Sequence, residues 1–315
     1  MPGAKIRVLV AEEVRYFLGH VDVPADVEIE WLSASAPIPE GDYKGILPLL
    51  SRRIDDAVLD RLPQLAVVAN YAVGYDNIDL EATRGRGVAV SNTPDVLTEA
   101  TADLTWSLIL AVSRRIVEAE RLARQGEWAW GPTLLLGTQL SGRTLGLLGA
   151  GRIGQAVGWR AIPFGMEVAY WDRVAQPDFE REIGARRVAS LAEIVALADV
   201  LSIHLQLSDE TTRLIGRDEL AAMKESAILI NTARGGIVDE DALCEALDSG
   251  KLGGAGLDVY DGEPRIRECL KRLSNVVLLP HIGSATEDTR RRMFELAWGN
   301  LMLGVRGEPL LTPVG

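Results

Sequence analysis

Gly149, Gly151 and Gly154 stand in the run Gly149-Ala150-Gly151-Arg152-Ile153-Gly154, and Asp172 follows 18 residues after the last of them. Glycines at this spacing permit a tight turn at Gly149, let backbone approach a pyrophosphate at Gly151 and let a helix pack closely on a strand at Gly154. An acidic side chain about 20 residues further on reaches a ribose diol. With 31 glycines among 315 residues, the pattern alone arises by chance about 0.3 times in such a chain, so context decides. Here TLGLLG (144–149) reads as a buried strand and GRIGQAVGWRAI opens a helix, whose N-terminus attracts an anion. The Asp172 carboxylate hydrogen-bonds a free 2′-hydroxyl and repels a 2′-phosphate, which favours NAD. Arg173 beside it keeps NADP as the alternative, because a guanidinium accepts a phosphate or stacks on adenine.

The chain has three histidines, His20, His204 and His281. Reducing a carbonyl by hydride needs a proton donor beside it, and imidazole donates reversibly near neutral pH. His20 lies in a polar stretch and reads as a surface residue. His204 ends an apolar strand and reads as a satisfied structural histidine. His281 closes the apolar run VVLLP, at the carboxyl end of a strand, where doubly wound folds place their ligands, and the small residues Gly283 and Ser284 follow.

Alternating strands and helices have to hold these groups. Strand-length apolar runs at 6–11, 27–32, 45–50, 66–70 and 88–91 form a first α/β unit. Residues 98–124 read as one long amphipathic helix, with Leu104, Leu108, Ala111, Ile116 and Ala119 near helical spacing. GEWAWGPTLLLG (126–137), with Trp128 and Trp130, reads as a surface loop or contact arm. Runs at 144–149, 168–172, 200–205, 227–231, 255–260 and 276–280 then alternate with helical stretches, the pattern of a parallel sheet buried on both faces. After Ser284 a further helix, with Met293, Leu296 and Ala297 as ridge residues, carries the chain back over the first unit.

Bulk properties agree with this plan. At about 150 residues per domain, 315 residues predict two domains, and 47% hydrophobic with 25% charged is ordinary for a globular chain. A net charge of −12 repels phosphate backbones and anionic lipid, so neither nucleic acid nor membrane is expected as a partner. The longest apolar stretch, around 104–112, is too short to span a bilayer, and the N-terminus runs straight into a strand with no export segment. Cys244 and Cys269 have no partner spacing and read as inert thiols, forming neither a disulfide nor a metal site, in a reducing, cytoplasmic setting.

GAGRIG, NTARGGIVDEDAL, GLDVYDGEP and PHIGSAT occur in this order, with NYAVGYDNIDL (70–80) and SNTPDVLTEATADL (91–104) before them. In these motifs the chain resembles the D-isomer-specific 2-hydroxyacid dehydrogenases, most closely the glyoxylate/hydroxypyruvate reductase branch. The resemblance implies an α/β fold of two doubly wound domains. A Rossmann dinucleotide-binding domain would span 99–286, and a discontinuous flavodoxin-like substrate domain 1–98 and 287–315. It implies reduction of a small 2-keto acid, glyoxylate or hydroxypyruvate, to the D-2-hydroxy acid by hydride from NAD(P)H.

By the same resemblance Arg234 grips the substrate carboxylate and polarises the carbonyl, a task for a planar fork. Glu263 pairs with His281, the proton donor, because a carboxylate on one ring nitrogen favours imidazolium and orients the other. The related formate dehydrogenases carry an amide in place of this acid. Backbone N–H groups of Val73 and Gly74 would hold the substrate carboxylate, and Leu50 and Ser51 would line its pocket. Asp258, Thr232 and Ala233 would contact the nicotinamide amide; Arg152, Ile153, Leu205, Thr211, Gly283 and Thr98 would line the rest of the dinucleotide site, with no metal.

Two departures from the family pattern stand out. His204-Leu205-Gln206-Leu207 replaces a common His-x-Pro-Leu, which alters the loop beside the adenosine. Trp128 and Trp130 are two apart where the branch spaces its tryptophans three apart. In that branch this loop joins a homodimer and offers a tryptophan to the neighbouring site, so a homodimer is implied. The alternatives are a D-3-phosphoglycerate or other D-2-hydroxyacid dehydrogenase, the former commonly with a regulatory extension for which this chain has no room. Phosphite oxidation and, in another class, an NADH-responsive scaffold like the C-terminal-binding-protein corepressors also stand.

Overall fold

The computed structural model describes residues 5–126 and 128–314 and divides the chain into two units, Met1–Leu97 with Ser284–Gly315, and Thr98–Gly283. In the first unit β1 (Ile6–Ala11), β2 (Val27–Leu32), β3 (Gly45–Leu47), β4 (Val67–Ala69) and β5 (Ala89–Ser91) form a parallel sheet in the order β2-β1-β3-β4-β5. This is the flavodoxin-like order. The run expected at 45–50 stops at Leu47 because Pro48 has no N–H to give a ladder. Leu49 resumes as a single bridge to Tyr71. Helix Glu287–Gly304 lies on β3 and β4 and buries Met293, Phe294, Ala297, Trp298 and Leu301.

The second unit contains β6 (Thr144–Leu148), β7 (Glu167–Trp171), β8 (Arg186–Arg187), β9 (Val200–Ile203), β10 (Ile228–Asn231), β11 (Gly254–Leu257) and β12 (Val276–Leu278). Their order is β12-β11-β10-β9-β6-β7-β8, every neighbour parallel. Counted from its own first strand, the unit has the Rossmann order with a seventh strand added. Every residue of β9, β10 and β11 is buried, as a parallel sheet with both faces covered requires. The strand order reverses between β6 and β9, so the ligand crevice belongs at the carboxyl ends of these strands.

Two sequence expectations are corrected. Residues 98–124 form two helices, Thr98–Ser113 and Ile116–Gln125, because Arg115 adopts a left-handed φ of 52° and Thr138 N–H caps the Ser113 carbonyl at 2.7 Å. The first helix buries Ala102, Trp106, Leu108 and Ile109 on the sheet, whereas the second buries no residue. Cys244 and Cys269 are not free thiols: they form a disulfide, with Cα atoms 6.0 Å apart. Their spacing of 25 residues matches no motif. They meet because helices Glu240–Asp248 and Glu268–Arg272 contribute to one apolar cluster with Leu247, Leu270 and Val276. With the bridge formed, the cysteines give no argument for a reducing compartment. Among the described residues no helix is long and apolar enough to cross a membrane.

A bridge closing a loop of this length stabilises by about 3 kcal/mol, chiefly by restricting the unfolded chain. Urea unfolding of the second unit should therefore move to lower denaturant after reduction, and neither cysteine should react with a maleimide in urea until a reductant is added. Prompt labelling of the unreduced, unfolded protein would contradict the bridge.

Candidate active site

At the end of β6 the chain turns through Gly149, whose φ of +92° and whose distance from the His204 carbonyl, 2.8 Å from where a Cβ would sit, exclude any side chain. Gly154 packs against the Gly149 carbonyl in the same way. Gly151 is different: nothing lies within 4 Å of its Cβ direction, and it is the N-cap of helix Arg152–Ala161. Asp172, just past β7, accepts the Ala150 N–H at 2.8 Å on one oxygen and the Val174 N–H at 3.0 Å on the other, which ties the glycine turn to the second strand. A left-handed turn, open backbone at a helix N-terminus and a carboxylate at the next strand end fit a dinucleotide. Arg152 is exposed and Ile153 half-buried in the first turn of that helix. Arg173 is exposed, with Nη1 3.7 Å from Glu210.

Leu205 is half-buried after β9, and the loop that lacks the expected proline is held by Thr211. Its hydroxyl donates to the Gln206 carbonyl at 2.6 Å and accepts the Ser208 N–H at 2.8 Å. His204 lies under the glycine turn with Nε2 2.9 Å from Ser202 Oγ; burial pulls its pKa down to about 3, so the ring is neutral.

Arg234 follows β10 on a turn built by Asn231, whose buried side chain accepts the Ala233 N–H at 3.0 Å and donates to the Arg234 carbonyl at 2.9 Å. Thr232 Oγ1 lies 2.9 Å from Thr105 Oγ1, on the helix that Thr98 begins. Gly235 comes next. A Cβ there would lie 1.9 Å from the Tyr260 carbonyl carbon and 2.3 Å from the Asp261 nitrogen, so only glycine lets the Arg234 turn press against the turn after β11.

That second turn carries Glu263. One carboxylate oxygen accepts the Tyr260 N–H at 3.0 Å, and the other lies 2.7 Å from His281 Nδ1. Tyr260 in turn donates its hydroxyl to the Leu279 carbonyl at 2.8 Å, two residues before His281. His281 has a φ of 55°, unusual for a side chain with a Cβ. The buried Asp258 holds it there, its two oxygens accepting the N–H groups of Ile282 and Gly283, each at 2.8 Å.

Burial alone would raise the Glu263 pKa. The His281 hydrogen bond and charge, the Tyr260 N–H and the Arg234 charge outweigh it and hold the carboxyl below its ordinary range. An ionised carboxylate only accepts, so Nδ1 of His281 carries the proton between them and Nε2 is left for exchange. Burial pushes Asp258 upward against the Ile282 N–H, the His281 charge and the Gly283 N–H.

Arg234, Glu263, His281, Asp258 and the glycine turn thus all belong to the second unit. Leu50, Ser51, Val73 and Gly74 belong to the first. There Asn92 and Asn70 donate to the Val73 and Gly74 carbonyls, each at 2.8 Å, and fix that turn. Sequence reading passed over Asn231, Tyr260, Asn70 and Asn92. Asparagine at a strand end was the available signal for three of them.

Residues 106–283 match the family model described as "D-isomer specific 2-hydroxyacid dehydrogenase, NAD binding domain". The chain is 47% identical over 294 residues to a glyoxylate reductase of Thermococcus litoralis, covering 89% of this chain and 88% of that one. The crystal structure of protein TT0316 from Thermus thermophilus superposes with a TM-score of 0.88 at 47% identity, covering 98% of this chain and 100% of the other. The NADPH-dependent glyoxylate/hydroxypyruvate reductase of Sinorhizobium meliloti, in complex with NADP and malonate, superposes with a TM-score of 0.89 at 35% identity, covering 99% and 97%.

Because the folded Glu263 value lies below its ordinary 4.5, the stability it contributes is full above that pH. It is lost as pH falls through the depressed value. The difference in melting temperature between wild type and Glu263→Gln should accordingly shrink as pH is lowered from about 5 through the depressed value. A difference that grows toward acid would contradict the pairing.

Proposed function

The chain belongs to the D-isomer-specific 2-hydroxyacid dehydrogenases, enzymes that reduce 2-keto acids with NAD(P)H, and we propose that it reduces glyoxylate or hydroxypyruvate, with His281 as proton donor. The observation that carries this reading is the 2.7 Å contact between Glu263 and His281 Nδ1, with the Arg234 charge acting on the same carboxylate. A bound NAD(P)H supplies the hydride. Arg234 grips the carboxylate of the keto acid and stabilises the negative charge that develops on the carbonyl oxygen. Glu263 orients the His281 ring through Nδ1, and Nε2 passes a proton to that oxygen.

Gly149, Gly151, Arg152, Ile153, Gly154 and Asp172 are the residues that would hold the dinucleotide. Leu205, Thr211, Thr232, Ala233, Gly283 and Thr98 belong to the same assignment. Asp258, gripping the two N–H groups after His281, adds the positioning of the proton donor to its nicotinamide role. In this reading Leu50, Ser51, Val73 and Gly74 are the substrate-selecting residues of the first unit. NADH is the favoured form, because Asp172 repels a 2′-phosphate and Glu210 beside Arg173 sets a second negative charge there.

A homodimer is part of the proposal. Helix Ile116–Gln125 buries no residue, and Trp128, Trp130, Leu134 and Leu136, just beyond it, are exposed apolar side chains that a second copy would cover.

Initial rates with NADH and NADPH over glyoxylate, hydroxypyruvate, pyruvate, phenylpyruvate and 2-ketoisocaproate test the reading. A preference for the first two with NADH is expected, and activity confined to the bulky acids would overturn the substrate. His281→Gln should lower kcat by roughly 10²- to 10⁴-fold. Glu263→Gln should also lower kcat, because the carboxylate that orients the imidazole through Nδ1 is gone. Light scattering at low micromolar concentration should return twice the chain mass.

A further inference from the structure

Glu240, the first residue of helix Glu240–Asp248, is a carboxylate buried to 3% exposure that the reaction does not touch. Its burial raises its pKa against the Asp261 N–H and the Arg267 charge, so the fold bears a cost at this position. The helix start does not need it. Asp239 already caps, accepting the N–H groups of Asp241 and Ala242. Glu240 instead reaches across 21 residues, where Oε1 accepts the Asp261 N–H at 2.7 Å and Oε2 lies 3.3 Å from Arg267 Nε. One turn along the same helix, Cys244 is bonded to Cys269. Both ends of the segment that carries Glu263 are thereby fastened to one helix, Asp261 by a hydrogen bond and Cys269 by a covalent one. The peptide that Glu240 grips is the Tyr260–Asp261 peptide, against which Gly235 packs.

We propose that Glu240 is a positioning residue, which holds the Tyr260–Glu263 turn where the Glu263 carboxylate meets His281 Nδ1. The inference rests on the function read above. The charged groups around this turn are Asp261, Arg267 and Asp241 on the Glu240 side, with Arg234, Asp258 and His281 on the Glu263 side.

The test compares Glu240→Gln, which keeps an acceptor for the Asp261 N–H, with Glu240→Ala, which does not. With Ala, kcat should fall roughly ten- to a hundredfold with the KM for NADH unchanged, as for a misplaced catalytic pair. The acid limb of its rate profile should rise by about one pH unit as Glu263 loses its partner. Gln should restore both. The downfield proton resonance of the His281 Nδ1–Glu263 hydrogen bond, read without substrate and assigned by its absence in His281→Gln, should persist in wild type and Gln and vanish in Ala. If Ala fails to fold, Glu240→Asp, one methylene too short to reach Asp261, should behave as described for Ala. An Ala or Asp variant with the wild-type resonance and acid limb overturns the proposal, as does equal loss in Gln. A wild type inert on every keto acid overturns the reading of function instead, and the resonance still decides this inference.

Discussion

A carboxylate and an imidazole that each keep more than a quarter of their side-chain surface in water do not stay 2.7 Å apart by attraction alone. Exposed ion pairs contribute about 0–1 kcal/mol, too little to order two loops. Backbone does the ordering. The Arg234 turn presses on the Tyr260–Asp261 peptide through a residue that has no room for a Cβ, the Tyr260 hydroxyl anchors the Leu279 carbonyl, and Asp258 grips the two N–H groups after His281. The left-handed φ of His281, a conformation costing of order 1–3 kcal/mol, persists because this framework leaves it no alternative.

The sheet explains why three residues so far apart in sequence share one place. Arg234, Glu263 and His281 follow β10, β11 and β12, three adjacent strands, and each strand adds about 4.8 Å of lateral spacing. The glycine turn and Asp172 follow β6 and β7, on the other side of β9. The strand order thus sets the glycine turn on one flank of the switch point and the Arg234, Glu263 and His281 turns on the other. His204 follows β9, between the two, with a buried, neutral ring bonded to Ser202, whereas Nδ1 of His281 faces the Glu263 carboxylate.

Apolar runs bounded by glycine and proline made both α/β units readable in advance, because a strand buried on both faces announces itself residue by residue. What was not readable depends on partners distant in the chain. The helix break at Arg115 rests on a cap from Thr138, and the disulfide joins cysteines whose spacing means nothing until two helices share a cluster. Within the site, its place at a strand end marked His281, whereas Arg234 and Glu263 were assigned by the family resemblance alone. Glu240 looked like any acid at a helix start, and only the fold shows that its partner is a peptide 21 residues away.

The second unit is a single uninterrupted length of chain, Thr98–Gly283, and its two ends are neighbours, with the Thr101 methyl 3.6 Å from where a Cβ on Gly283 would sit. It is therefore an insertion, hosted by a chain that resumes almost where it paused. Two cuts at adjacent points would carry the glycine turn, the arginine, the acid and the histidine into another host as one cassette. Every hydrogen bond described for the Arg234, Glu263 and His281 turns closes within that one length of chain.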